Sequence, residues 1–173
     1  MPPGEASIRR ATRADRPALV AFHLALYVDH QRRVVPDRAQ PLLAYRDWPS
    51  TLRGDVDALL ADPGAIVLVA ETARADRDDD PSREVIGYIT GHVEEGDPRR
   101  VLVRKGVVGD WWVEPSHRQR GVGGRLLDAL FDAFRARDCE LVESQTWPGN
   151  GSARRAHEAA GFDEVKVVYR RRL

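Results

Sequence analysis

Residues 110–124, Asp-Trp-Trp-Val-Glu-Pro-Ser-His-Arg-Gln-Arg-Gly-Val-Gly-Gly, constrain the fold more than any other stretch of the chain. Aromatic and β-branched side chains up to Val113 favour a strand. Beyond the glycines, Val122, Leu126, Leu127, Leu130 and Phe134 share one helical face, with Arg125, Asp128, Asp132 and Arg135 on the other. A strand must therefore turn through glycines directly into a helix start. Backbone N–H groups with no intrahelical partner converge at such a start, where the macrodipole is positive, so an anion docks there without any lysine.

The flanking sequence supplies the rest of an α/β domain. Ser7 to Ala11 reads as a first strand, and Asp15 as the cap of a helix with Pro17 in its first turn and Leu19, Phe22, Leu26 and Tyr27 at helical spacing. Residues 31–47 form a long connection, and a second helix covers Leu52 to Ala61 until Asp62-Pro63-Gly64 stops it. Strands follow at Ala65 to Glu71 and Val85 to Val93, separated by a solvated loop at 74–81 whose acidic run lacks the glycine and terminal Glu of a calcium loop. A fourth strand spans Val101 to Val113, broken near Lys105-Gly106 and bulged near Gly109. After the amphipathic helix come a strand at Leu141 to Thr146, a short helix from Asn150 to Ala160 ended by Gly161, and a last strand from Phe162 to Arg170. This order gives an α/β fold with a mixed sheet.

Length and charge narrow the function. A chain of 173 residues suits a single domain, 1–173, with a sizeable core. Lys plus Arg (27) equals Asp plus Glu (27), so no net field recruits nucleic acid or an anionic membrane. The apolar run Ala65 to Ala70 is too short to span a bilayer, and the opening Met-Pro-Pro-Gly-Glu does not read as a secretion signal. With one cysteine, Cys139, no internal disulfide forms, and a cytoplasmic location is expected. His23, His30, His92 and His117 are scattered without metal-ligand spacing, so no metal is expected.

Two phosphate-binding devices end in such a turn. A P-loop needs Gly-Lys-Ser/Thr where this chain has Gly123-Gly124-Arg125. A dinucleotide fingerprint finds Gly121 and Gly123 but Leu126 in the third glycine's place, although Glu143 stands near the position of a ribose-binding acid. A bare structural turn also accounts for a Gly-x-Gly.

The chain resembles the GCN5-related N-acetyltransferase (GNAT) superfamily in three blocks. Arg118-Gln119-Arg120-Gly121-Val122-Gly123 matches that family's Arg/Gln-x-x-Gly-x-Gly/Ala signature, and Asp110-Trp111-Trp112-Val113-Glu114-Pro115 looks like the strand before it. Asn150-Gly151-Ser152-Ala153, then His157, then Gly161-Phe162 resembles its second block, and Ile8-Arg9-Arg10-Ala11-Thr12 with Asp15 is similar to its usual beginning. The resemblance implies a mostly antiparallel central sheet, splayed between the fourth and fifth strands and flanked by helices on both faces. It implies acetyl-CoA as cofactor, with coenzyme A as product, and acetyl transfer to a primary amine by direct attack in a ternary complex. A non-catalytic acyl-CoA binding or sensing domain is the alternative.

The same resemblance assigns residues. Arg118, Gln119, Arg120, Gly121, Val122, Gly123 and Gly124 would hold the CoA pyrophosphate, and Trp112 and Val113 the pantetheine arm. The Val113 N–H would face the thioester oxygen. Asn150 matches a cofactor contact and equally well caps a helix. His157 stands where many relatives have a tyrosine acid towards the sulfur, and Asp110 at a strand position that is often acidic, with Glu114 and Glu143 as alternative bases. Residues 28–53 and the last strand would select the acceptor, a small-molecule or peptide amine. Relatives often form homodimers, although no apolar stripe here demands one.

Overall fold

The structure, a computed structural model, describes residues 6–73 and 83–171; the expected loop at 74–81 and the opening five residues lie outside them. In chain order the elements are β1 (Ser7–Arg10), α1 (Arg16–Asp29), α2 (Trp48–Ala61), β2 (Ile66–Ala73), β3 (Arg83–Glu95), β4 (Arg104–Val113), α3 (Val122–Arg135), β5 (Leu141–Glu143) and α4 (Gly151–Ala159). The strands lie side by side in sequence order. Pairing is antiparallel from β1 through β4 and parallel between β4 and β5, giving the mixed, mostly antiparallel sheet expected from the sequence.

Strand alternation divides the core in two. On one face α3 buries Val122, Leu126, Leu127, Leu130 and Phe134 against Ile66, Ala70, Ile89 and Val108. On the other, α1 and α2 bring Leu19, Phe22 and Val56 onto Val67, Val69, Tyr88 and Trp112. The adjacent tryptophans part company, with Trp111 on the α3 side and Trp112 on the α1 side.

Several boundaries differ from the sequence reading. α2 begins at Trp48, with Pro49 in its first turn, four residues before the expected start. Residues 30–34 form a π turn and residues 37–42 a 3-10 turn inside the expected connection. β4 starts at Arg104 and runs unbroken through Lys105-Gly106, where β5 pairs with it. The carboxylate of Asp15 does not cap α1; it reaches back to accept from Thr12 N (2.7 Å) and from both terminal nitrogens of Arg9 (2.8 Å each). The guanidinium bond of Arg9 outweighs burial and holds the Asp15 pKa at about 2.

The expected last strand is absent. Residues 162–171 carry no strand, and Val165, Val167, Val168 and Tyr169 stand exposed. Alternating β-branched residues make a strand only beside a partner that takes their N–H and C=O groups, and no described strand runs alongside. α4 ends at Gly161 as expected: Gly161, at φ +81°, donates to Glu158 O (3.0 Å) and Phe162 N donates to His157 O (3.0 Å), a Schellman closure.

Candidate active site

The strand-to-helix junction folds as an amide-lined cradle. Gln119 (φ 60°) and Gly121 (φ 76°) are both left-handed, which curls the backbone into the first turn of α3. Nothing lies near a Cβ placed on Gly121, so its conformation rather than its space calls for glycine. Arg125 N makes the first helical bond, to Gly121 O at 3.1 Å, so the N–H groups of residues 122–124 precede the ladder and face out of the helix end. Gly123 lies under the Trp111 indole, 3.4 Å from where a Cβ would stand. Arg120 and Gln119 are exposed. Arg118 is tied back: its Nε donates to Val113 O (2.8 Å) and its guanidinium stacks 4.5 Å over the Trp112 ring.

Beside the cradle the sheet opens. β5 pairs with β4 only across Lys105–Val107, the splay expected from the sequence. Glu114 N donates to Ile86 O (2.9 Å), and Trp112 pairs with Tyr88, which sets the phase of the antiparallel ladder. Backbone groups of Trp111 and Val113 therefore point away from β3 into the gap, whereas those of Trp112 point to β3. The gap-facing pair is 111 and 113 rather than 112 and 113.

A bulge sets what the other face receives. Ile89 pairs with Trp111 and Gly91 with Val108, so Gly109 and Asp110 together oppose Thr90, as the glycine predicted. The Thr90 hydroxyl accepts from Asp110 N (2.8 Å), and a Cβ on Gly109 would come within 2.5 Å of that hydroxyl. The extra residue turns the Asp110 carboxylate towards α1. There its Oδ2 lies 2.7 Å from His23 Nδ1 and accepts from the Tyr88 hydroxyl at 3.1 Å. Burial opposes charge on His23, yet Asp110 and Asp55 outweigh it and raise the His23 pKa. Tyr88, deeply buried and facing Asp110, is pushed well above the usual phenol range.

The other expected bases go elsewhere. Glu114 lies 3.7 Å from His117 beyond the strand end, and Glu143, the last residue of β5, is drawn to Lys105, accepting from its Nζ at 2.9 Å. Sequence reasoning missed His23, 87 residues from Asp110; the available signal was a polar side chain at the same helical spacing as Leu19 and Phe22.

On the α3 side, His157 fills the gap between α4 and the sheet. Its Nδ1 donates to Ala153 O (2.7 Å), its Nε2 lies 2.7 Å from Ser144 Oγ, and its ring meets Trp111 edge-on at 5.8 Å. Ser144 follows β5 directly, so this pair borders the splay. Asn150 caps α4, its Oδ1 accepting from Ala153 N (3.1 Å) and Ser152 Oγ (3.0 Å). Gly149 packs so closely that a Cβ would sit 2.6 Å from Val34 O, joining the loop before α4 to the π turn after α1. Nearby, Tyr27 stacks on Trp48 (5.0 Å) and leans on Tyr45 (5.8 Å). Among the described residues no His, Cys, Asp or Glu cluster is arranged to hold a metal, and no helix is long and apolar enough to cross a membrane.

Comparison with known proteins bears on the family and the fold. The family model described as Acetyltransferase (GNAT) family matches residues 24–162. An aminoglycoside N(6')-acetyltransferase type 1 of Stenotrophomonas maltophilia is 28% identical over 165 residues, covering 94% of this chain and 90% of that protein. One of the same name from Klebsiella aerogenes is 36% identical over 92 residues, 51% of this chain; the chain spans only 58% of that relative. A solved aminoglycoside acetyltransferase, AAC(6')-Iy in complex with the bisubstrate analog CoA-S-monomethyl-acetylneamine, shares the fold, with a TM-score of 0.67 and 20% identity over 98% of this chain and 99% of that one.

Proposed function

The chain belongs to the acetyltransferase (GNAT) family, and on that premise we propose that it acetylates a primary amine of a small polycationic acceptor, of the aminoglycoside kind, with acetyl-CoA. One observation carries the reading: β4 presents both halves of such a site, backbone groups facing the gap at Trp111 and at the Val113 N–H on one side and the Asp110 carboxylate on the other.

The residues fit the cofactor. Orphan amides of residues 122–124 take a pyrophosphate, and the free edge of β4 takes an amide-bearing arm in the manner of an added strand. Acetyl-CoA supplies an activated acyl group and a stable thiol leaving group. The Val113 N–H faces the gap and donates to the thioester oxygen. Asp110 attracts the acceptor ammonium and takes its proton, leaving a neutral nucleophile. As an imidazolium, His157 holds a second proton at Nε2, which would pass to the Ser144 hydroxyl, 2.7 Å away, as that hydroxyl gives its own proton to the departing sulfur, leaving His157 neutral with its Nδ1–H on Ala153 O.

The acceptor class draws support from the relatives' names and from the acceptor side, where Asp29, Asp55 and Asp110 gather around α1 beside the Tyr27–Trp48 stack. Carboxylates for ammonium groups and aromatic faces for sugar rings are the chemistry such a ligand needs. Reaction with a thioester donor and an unpaired Cys139 fits the cytoplasm. Thiol release from acetyl-CoA, measured with neamine, spermidine and a lysine peptide, tests the reading. Turnover on neamine is expected; turnover on the peptide alone would reassign the acceptor, and cofactor binding without any turnover would favour the sensing domain.

A further inference from the structure

His23 is a largely buried histidine on the core-facing side of α1. Its Nδ1 lies 2.7 Å from Asp110 Oδ2 and 3.2 Å from the Tyr88 hydroxyl, and its side chain is only 13% exposed. Its Nε2 is buried without a hydrogen-bond partner; the nearest carboxylate oxygen, on Asp55 of α2, stands 3.8 Å off. A buried ring nitrogen without a partner costs stability, and such groups in native structures tend to mark a function. Asp110 Oδ2 already receives the ring N–H of His23 and the hydroxyl of Tyr88, so Oδ1 is the oxygen left for an ammonium.

We propose that His23 is a charge-setting positioning residue for Asp110: neutral, it orients the carboxylate towards the acceptor ammonium; protonated, it cancels the carboxylate's charge and weakens acceptor binding. This rests on the reading that Asp110 receives the amine.

The balance is simple. In the neutral form the single ring proton sits on Nδ1 and is donated to Asp110, so the pair carries net charge −1 and attracts a cation. Protonation adds one proton at Nε2, towards Asp55, and the pair becomes neutral. Among the described residues, the imidazole meets Asp110 on β4, Tyr88 on β3 and Asp55 on α2; further along α1, Asp29 is ion-paired to Arg33 and acts with Asp110 on His30. Burial and the Asp29 and Asp110 charges act on His30 in opposite senses, with burial dominant, so its pKa is lowered. His30 is thus shifted in the opposite sense to His23. Asp110 and Asp55 favour the imidazolium and outweigh burial, so the His23 pKa is raised from its ordinary value.

The test is the pH dependence of the neamine KM between pH 5.5 and 9 in wild type, His23→Asn, Tyr88→Phe and Asp110→Asn, with the acetyl-CoA KM measured alongside. The side-chain amide of His23→Asn replaces the Nδ1 donor but does not titrate. In wild type the neamine KM should fall about tenfold as His23 loses its proton, a change worth about 1.4 kcal/mol. In His23→Asn that fall should shrink to under about twofold, with kcat kept within about threefold. Tyr88→Phe removes a donor to the same oxygen without removing the titration, so its KM should rise while the fall with pH persists. If His23→Asn retains the wild-type pH profile, or Tyr88→Phe loses it, the proposal is overturned. Asp110→Asn separates this from the larger reading: unchanged neamine kinetics there would overturn Asp110 as the amine's receiver, whereas lost turnover with a wild-type profile in His23→Asn would overturn the role of His23 alone. Should His23→Asn unfold, the same titration followed on the His23 ring protons by NMR must show neamine lowering the His23 pKa, and no shift overturns the proposal.

Discussion

The two faces of the sheet are built on opposite principles. Under α3 the contacts are almost wholly apolar: Leu126, Leu127, Leu130 and Phe134 are essentially inaccessible. Its polar groups stand at the margin: the backbone amides at the helix end and the His157–Ser144 pair at the splay. Under α1 and α2 the core instead encloses His23, Tyr88, Thr90 and the partly exposed Asp110. A pyrophosphate can be held by main chain at an edge, so its face stays dry. An amine that must surrender a proton needs side chains with tunable charge, and that face must carry them inside.

The largest expected effect tests the dry face. Phe134 is 1% exposed and rests on Gly91 and Gly106 of the sheet, so Phe134→Ala should cost about 3–5 kcal/mol in urea unfolding. A loss under about 1 kcal/mol would show that the α3 face is less closely packed than its contacts indicate. Next, Asp110→Asn should lower turnover about a hundredfold, with acetyl-CoA affinity measured by calorimetry unchanged. A matching loss of cofactor affinity would mean that the two faces do not divide the work.

Third comes Asp15, whose pKa of about 2 reflects chiefly its bond from Arg9. A depressed carboxylate stabilises the fold above its ordinary pKa of about 4 and loses that contribution as pH falls through about 2. Asp15→Asn should thus be about 2 kcal/mol less stable at pH 7, the gap closing on acidification towards pH 2. A gap independent of pH would assign the effect to the Thr12 turn rather than to charge. Smallest is Arg118→Ala: with its guanidinium bound to Val113 O and stacked on Trp112, it should change acetyl-CoA affinity by under about fivefold, or about 1 kcal/mol. A larger drop would return phosphate binding to side chains.

The same division explains what was legible beforehand. The cradle could be read because its requirements are local: positive φ at Gly121, orphan amides at 122–124 and the apolar stripe of α3 are all written within some twenty consecutive residues. The bulge was readable from Gly109 for the same reason. His23 was not, because a pairing across 87 residues leaves only the weak trace of a polar residue within an apolar helical face. The last strand failed for a related cause. Val165, Val167, Val168 and Tyr169 have strand chemistry, but strand formation is a property of two segments, and composition speaks for one. Asp15 resembled a cap because caps and ion pairs draw on the same residue type.

The extra residue at Gly109–Asp110 acts as a phase shift in the reading of β4. Removing Gly109 would restore the plain two-residue alternation across Thr90 with Val108, Asp110, Trp111 and Trp112 each keeping its face, because Gly109 and Asp110 now share one side. Losing another residue of β4 would instead carry the side chains between it and the bulge to the opposite face. Loops around residues 28–53 can change length without this penalty, since no register passes through them. Acceptor preference is thus free to drift by insertion and deletion near α1, while β4 has one place, the bulge at Gly109–Asp110, where a single-codon deletion leaves every side chain on its own face.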